Sequence, residues 1–144
     1  MTRDIVLSIS AHASAEPIHE AITTQAGLAS FWTSDVTAEP IVGSEARFGF
    51  AGAPMPLRMR VDRVDTDTIE WTCLGDFPFW LDTKVIWSLQ PESEHGGTNI
   101  VFQHTGFPDD QPLFELGSVA HTWSTILDHL KVLAETGTST PALG

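Results

Sequence analysis

The chain has 144 residues, with 7 Lys and Arg against 19 Asp and Glu, so its formal charge is −12 and its isoelectric point is near 4.6. One domain fits this length, and a hydrophobic content of 42% supplies a core, which argues against general disorder. The charge opposes polyanions, so we expect no nucleic-acid partner. No apolar run approaches the roughly 20 residues of a membrane span, so we expect no membrane insertion.

The first strand and the helices that follow it are read from spacing and capping residues. Alternating apolar residues predict a strand over residues 4–12, and Ser14 is expected to cap a helix that ends at Gly27. A second short helix is predicted through Phe31 and Trp32. The opening residues lack the charged-then-apolar order of a signal peptide, which predicts a cytoplasmic protein.

From residue 36 onward the apolar period changes to two, which is typical of half-buried strands. Strands are expected over the segments 36–38, 46–50, 57–62, 69–73, 85–89 and 99–105. A polar loop is expected over residues 91–97. An apolar stripe at helical spacing then predicts one long helix from Gln111 or Leu113 to Glu135.

Strands grouped apart from helices predict an α+β fold. We expect a curved antiparallel sheet of about six or seven strands wrapped around the long C-terminal helix, with two short helices after the first strand. Residues 1–136 would form this single domain, and residues 137–144 a flexible tail. Such a sheet encloses more volume than one helix fills, which favours an apolar cavity between them.

The aromatic residues and the single cysteine indicate which side chains lie in the interior and which kinds of site are excluded. There are 5 Trp and 8 Phe but no Tyr, the aromatic residue usually found where one ring edge is wet, so the rings are expected inside. The single cysteine, Cys73, excludes an intrachain disulfide and a multi-cysteine zinc site, and its apolar surroundings favour a buried hydrophobe. No metal ligand set, cofactor motif or catalytic constellation is found, so we predict no catalytic residue, no metal and no cofactor.

Several short motifs occur in an order and at spacings that resemble a known family. They are residues 15–21 (AEPIHEA), Phe31-Trp32, 42–48 (VGSEARF), 96–100 (GGTNI), 104–107 (HTGF), 123–127 (WSTIL), Leu130-Lys131 and Gly137. The chain resembles the START-like, helix-grip superfamily, and within it the proteins similar to the activator of heat-shock protein 90 ATPase. The resemblance implies the helix-grip fold and a link to the stress response. Because this superfamily includes lipid carriers, hormone receptors, polyketide cyclases and co-chaperones, the fold alone does not specify the function.

Residues on the predicted concave faces, together with an aromatic loop at residues 77–80, form the candidate ligand site. They are Phe48, Phe50, Met59, Trp71, Phe79, Trp80, Trp87, Phe102, His104, Trp123 and Leu127. Apolar walls with few polar groups suit a small hydrophobic molecule or lipid. The alternative is that the rings interdigitate and fill the space.

The polar candidates inside and outside the sheet each have two interpretations. His104 can anchor a ligand or act as an acid or base, or it can be a core histidine with satisfied hydrogen bonds. Arg58 and Arg60 are expected on the outer sheet face, paired with carboxylates such as Glu70 or Asp62; a register change would turn them inward toward an anionic ligand.

Three functions follow, of which binding a small hydrophobic ligand between the sheet and the last helix is our first hypothesis. The second is a co-chaperone-type interaction protein with a chaperone as partner, as the resemblance implies. The third is a cyclase- or aromatase-like enzyme, which ranks lower because no second catalytic group accompanies His104. A homodimer through a sheet edge or the helix, the ligand's identity and the pathway stay open.

Overall fold

The structure is a computed structural model that describes residues 2–92 and 96–143, so part of the predicted polar loop at 91–97 lies outside the described residues. The elements in chain order are β1 (Thr2–Ala11), α1 (Ala15–Thr23), α2 (Gln25–Phe31), β2 (Asp35–Thr37), β3 (Glu45–Gly49), β4 (Leu57–Val64), β5 (Thr68–Cys73), β6 (Lys84–Pro91), β7 (Thr98–Pro108) and α3 (Leu113–Thr136). Strands grouped apart from helices confirm the predicted α+β class.

The seven strands form one antiparallel sheet in the order β1-β7-β6-β5-β4-β3-β2. Alternate residues face the concave side, so Trp87 lies opposite both Ile69 and Phe102, and all three are fully buried. A bulge between Val61 and Arg63 lets Val61 point inward while Arg63 stays in solvent. The sheet wraps around α3, as the sequence predicts.

The boundary between the two short helices differs from the prediction. The first helix ends at Thr23, and Gly27 lies inside α2 instead of ending α1. Thr24 caps α2, because its side chain accepts a hydrogen bond from the Gly27 backbone N–H at 3.0 Å. Glycine is needed there because a Cβ would stand 2.4 Å from the carbonyl oxygen of Ala21. Ser14 takes the cap position of α1 but makes no side-chain capping bond.

The long helix α3 packs its buried stripe, centred on Trp123, Leu127 and Leu130, against the concave face. It ends at Gly137, whose φ of 83° is the left-handed conformation that glycine adopts without strain. In the described part of the chain, no helix has the length and apolarity needed to cross a membrane.

The arginines of β4 face outward and pair with carboxylates, as predicted for Arg58 and Arg60. Arg58 lies 3.1 Å from Asp76. Arg60 lies 2.7 Å from Asp62, and Arg63 lies 3.2 Å from Glu70. The side chains of Arg60 and Arg63 are half exposed, so each ion pair adds little to the stability of the fold. The outer face is therefore a surface of mixed charge, separate from the interior.

Candidate ligand-binding site

A mostly apolar cavity of about 350 Å³ lies where α3 meets the loops that follow β3 and β5. Five aromatic residues lie in its wall, namely Trp32, Phe50, Phe77, Trp80 and Trp123. The remaining wall residues are Ala53, Leu57, Ser118, Val119, Thr122, Ile126 and Leu143. The volume is at the lower end of the range for small-molecule sites, so it suits a compact ligand.

The aromatic walls contact one another around the cavity. The ring centroids of Phe50 and Phe77 are 6.2 Å apart, and those of Phe77 and Trp80 are 5.3 Å apart. On the helix side, Trp32 packs edge-on against Trp123 at 4.9 Å. Rings that support one another lose little entropy when a ligand binds, which makes this wall largely preformed.

The loop from Gly75 to Asp82 carries two of these rings in an unusual backbone conformation. Asp76, Phe79 and Asp82 have φ values of 75°, 70° and 64°, in the left-handed region that costs side-chain-bearing residues energy. Such conformations persist only where neighbouring contacts impose them. The loop is thus an ordered wall and not a loose connection.

Asp76 anchors this loop to the adjacent strand. Its carboxylate accepts hydrogen bonds from the backbone N–H of Arg58 at 3.2 Å and from Arg58 Nε at 3.1 Å. The Asp76 side chain is 7% exposed, and the Arg58 side chain is 38% exposed. The ion pair raises the pKa of Arg58 through the hydrogen bond and charge of Asp76. Phe77, the next residue, is thereby held at the cavity.

The cavity offers a ligand few polar groups. Ser118 and Thr122, one turn apart on α3, are its hydroxyl-bearing residues, and Thr122 Oγ1 already donates to the Ser118 carbonyl at 3.0 Å. Among the residues that the structure describes, no charged side chain lines the wall. A bound ion would lose its hydration without gaining a counter-ion, so the site favours neutral molecules.

His104 lies outside the cavity wall, in a fully buried hydrogen-bond chain. Its Nδ1 accepts from the indole Nε1 of Trp123 at 3.1 Å, which leaves the ring proton of the neutral imidazole on Nε2. Nε2 lies 2.9 Å from Thr83 Oγ1, and that hydroxyl donates in turn to the carbonyl of Trp80 at 2.7 Å. The chain therefore connects two cavity walls, Trp80 and Trp123, through His104.

Burial keeps both titratable groups of this interior neutral. It lowers the pKa of His104 to about 3, and it raises the pKa of the Cys73 thiol to about 11. Cys73 Sγ is 3.9 Å from His104 Nε2, but a neutral thiol beside an imidazole with both nitrogens engaged is a poor nucleophile. This pair has the geometry of core packing.

The predicted site residues divide into three groups. Phe50, Trp80 and Trp123 line the cavity, and Phe79 lies in the aromatic loop without lining it. The others are buried at 0–2% exposure and line no part of this cavity: Phe48, Met59, Trp71, Trp87, Phe102, His104 and Leu127. Ligand contact by any of these residues stays a prediction.

Sequence reasoning did not place several wall residues in the site. Ser118, Thr122 and Ile126 recur every four residues on α3, a spacing that marks one helix face, but the polar side chain of Thr122 favours a position that faces away from the core. Trp32 is predicted as part of the second helix and of a family motif, and neither assigns it to the cavity wall. Leu143 belongs to the predicted flexible tail, in which an apolar Ala-Leu pair after a polar run was the available signal.

The segment of residues 138–143, which we call the C-terminal strap, lies across the helices. The backbone N–H groups of Ala142 and Leu143 donate to the carbonyls of Phe31 and Trp32, at 3.0 and 2.8 Å. These bonds satisfy carbonyls at the end of α2 that the helix itself leaves open. Ala142 and Leu143 also pack on the core, and the mobility predicted for the tail stays a prediction.

Comparisons with known proteins agree with this fold. A family model described as "Activator of Hsp90 ATPase homolog 1-like protein" matches residues 12–135. A solved structure described as the Aha1 dimer from Colwellia psychrerythraea is 28% identical with a TM-score of 0.82, over 94% of this chain and 98% of that one. A protein from Mesorhizobium loti shares the fold at 22% identity and a TM-score of 0.78, over 91% of this chain and 96% of that one. A protein from Staphylococcus saprophyticus shares it at 20% identity and a TM-score of 0.77, over 95% of each chain. Among curated proteins, no sequence matches significantly.

Proposed function

Because the chain belongs to the activator of Hsp90 ATPase homolog 1-like family, whose helix-grip fold surrounds an interior with a long helix, we propose that it binds a small, neutral, hydrophobic ligand. The carrying observation is the cavity of about 350 Å³, whose wall includes five aromatic residues and, within the described chain, no charged side chain. A molecule that enters it removes apolar surface from water, at about 25 cal/mol per Å².

Ring-containing molecules fit this wall better than flexible chains. The indole planes of Trp80 and Trp123 lie within 24° of parallel with centroids 6.5 Å apart, and aromatic faces favour offset stacking with a further ring. A rigid ligand also loses less conformational entropy on binding than an alkyl chain. The proposed ligand class is therefore a compact, neutral, ring-based molecule.

The proposal is tested with N-phenyl-1-naphthylamine, a neutral apolar probe whose fluorescence rises on leaving water. We expect saturable binding by the wild type. Val119→Trp fills the cavity and lowers the affinity at least about tenfold. Val42→Trp makes the same change at an exposed position that lines neither the cavity nor the groove under the C-terminal strap, and it should bind as the wild type does. A wild type without saturable binding, or equal binding by both variants, would overturn the proposal.

A second candidate is an interaction with a chaperone of the heat-shock protein 90 class, which the family description supports. The structure offers the mixed-charge outer sheet face for it, where Arg60 and Arg63 project from β4. The test is the ATP turnover of such a chaperone with and without this protein. Stimulation that Arg60→Glu and Arg63→Glu together abolish would support it, and unchanged turnover would remove it.

A homodimer forms part of this second candidate, because the similar Colwellia protein is described as a dimer. The ten-residue strand β1 is one end of the sheet, where Val6 is 62% exposed, and unpaired strand edges recruit partner strands. Sedimentation equilibrium gives the mass directly. A dimer that Val6→Lys converts to monomer supports pairing at β1; a monomeric wild type contradicts it.

A further inference from the structure

The match to the family model ends at residue 135, yet Leu143 is part of the cavity wall. The wall of the cavity is thus completed by a segment outside the family match. Leu143 lines the cavity together with Trp32, which directly follows α2, and Ile126 from α3. The backbone N–H of Leu143 donates to the Trp32 carbonyl at 2.8 Å, which ties the two residues together at the wall.

The C-terminal strap is held by hydrogen bonds near both of its ends, and its first residues border a groove. Ser139 Oγ donates to the His129 carbonyl at 3.1 Å, and His129 Nδ1 lies 2.6 Å from the Thr140 carbonyl. A groove of about 510 Å³ lies between strap residues 138–140 and the α3 residues Asp128 and Val132. The strap's position therefore depends on a few hydrogen bonds and on the apolar contact of Ala142 and Leu143 with the core.

We propose that the C-terminal strap sets the ligand size this cavity admits, with Leu143 as the specificity-determining residue. This rests on the proposed function of the same cavity. Deleting the side chain beyond Cβ at position 143 extends the cavity toward α2, and enlarging it shortens the cavity. Neither change touches the aromatic walls Phe77 and Trp80, so affinity for a small ligand survives while affinity for a large one changes.

The experiment measures displacement of N-phenyl-1-naphthylamine by two neutral ketones, the two-ring 1-tetralone and the four-ring progesterone. We expect Leu143→Ala to raise the affinity for progesterone about tenfold relative to 1-tetralone, the discrimination that a few methylene groups provide. Leu143→Trp should lower the affinity for progesterone about tenfold and change that for 1-tetralone less than about threefold. The control is Leu133→Ala, the same substitution on α3 at a residue that does not line the cavity.

The possible outcomes distinguish a failure of the proposed ligand binding from a failure of the role proposed for Leu143. If the wild type binds neither the probe nor the ketones, the proposed function itself has failed. If it binds them and both Leu143 variants shift the two ketones by one common factor, the inference is overturned and the proposed function stands. A shift in the ratio by Leu133→Ala equal to that by Leu143→Ala also overturns the inference. If Leu143→Trp does not fold, the Leu143→Ala ratio decides alone.

Discussion

The cavity wall and an inner cluster, which we define as Trp87, Phe102 and His104, are both rich in aromatic rings. The inner cluster is closely packed, whereas the wall encloses a cavity. The inner cluster is fully buried; the Trp87 and Phe102 centroids are 4.9 Å apart, and both nitrogens of His104 are engaged. The wall residues Phe50 and Phe77 are only partly buried and enclose free volume. Trp123 connects the two regions, because it lines the cavity and donates a hydrogen bond to His104. Aromatic composition therefore does not distinguish a core from a site; the packing of loops around it does.

The largest expected effect comes from truncating one ring in each region. Trp87→Ala leaves a cavity in a closed core and should cost about 3–5 kcal/mol in the free energy of unfolding. Phe77→Ala removes a partly exposed ring and should cost about 1 kcal/mol, while lowering probe affinity about tenfold. Urea denaturation and probe titration measure the two quantities. Equal stability losses would show that the two regions are packed alike.

The second effect is a pH dependence that belongs to the inner cluster. The pKa of His104 falls from 6.5 to about 3 on folding, so the unfolded chain binds a proton that the folded one excludes. Stability is unaffected by this group above pH 6.5 and decreases as the pH falls from 6.5 toward 3, by about 2–4 kcal/mol.

Urea denaturation at a series of pH values from 7.5 to 4 tests this, with His104→Asn as the control that cannot titrate. An Asn oxygen can still accept from Trp123 Nε1, so the variant keeps one of the two hydrogen bonds. The wild type should lose more stability than the variant over this range. Parallel curves would place the pH dependence in the carboxylates and not in His104.

The third effect compares two buried indoles that differ in hydrogen bonding. Trp123→Phe leaves His104 Nδ1 without its donor and should cost about 1–3 kcal/mol beyond the lost ring volume. In Trp32, the Nε1 is buried and has no partner among the described residues, so Trp32→Phe forfeits no hydrogen bond. We expect the first variant to melt lower than the second by thermal denaturation. The reverse order would contradict the assigned role of His104.

The smallest effect concerns the anchor of the aromatic loop. Asp76→Asn keeps an acceptor for the Arg58 backbone and tolerates the positive φ, but it removes the charge, so about 1 kcal/mol is expected. Probe affinity should fall severalfold because Phe77 loses its fixed position. Asp65→Asn, in the exposed pair with Arg63, is the control and should change both quantities little. Equal effects of the two variants would mean that Asp76 is another surface charge.

Much of the fold was predictable because the signals are local. The alternation of Leu57, Met59 and Val61 predicts a strand because one face of the strand is buried. The apolar stripe through Trp123 and Leu127 predicts a helix for the same reason, since one helix face is buried. The prediction that the first helix ends at Gly27 is wrong. It rests on the rule that a glycine after an apolar helical pattern usually marks the end of a helix. The glycine is instead required by the close approach of Ala21, which no local pattern reveals.

The sequence by itself determined the class of fold, the family resemblance, the burial of most of the rings and the outward direction of the arginines, since these depend on periodicity and charge. The prediction that the rings lie inside is wrong for Phe114 on α3, which is 76% exposed. The tertiary structure decided which rings face free volume, because that depends on how the Gly75–Asp82 loop and the C-terminal strap close over α3. It also decided the role of His104, whose two nitrogens are engaged by Trp123 and Thr83 from different elements. Contacts between distant segments make the site, and no spacing within one segment encodes them.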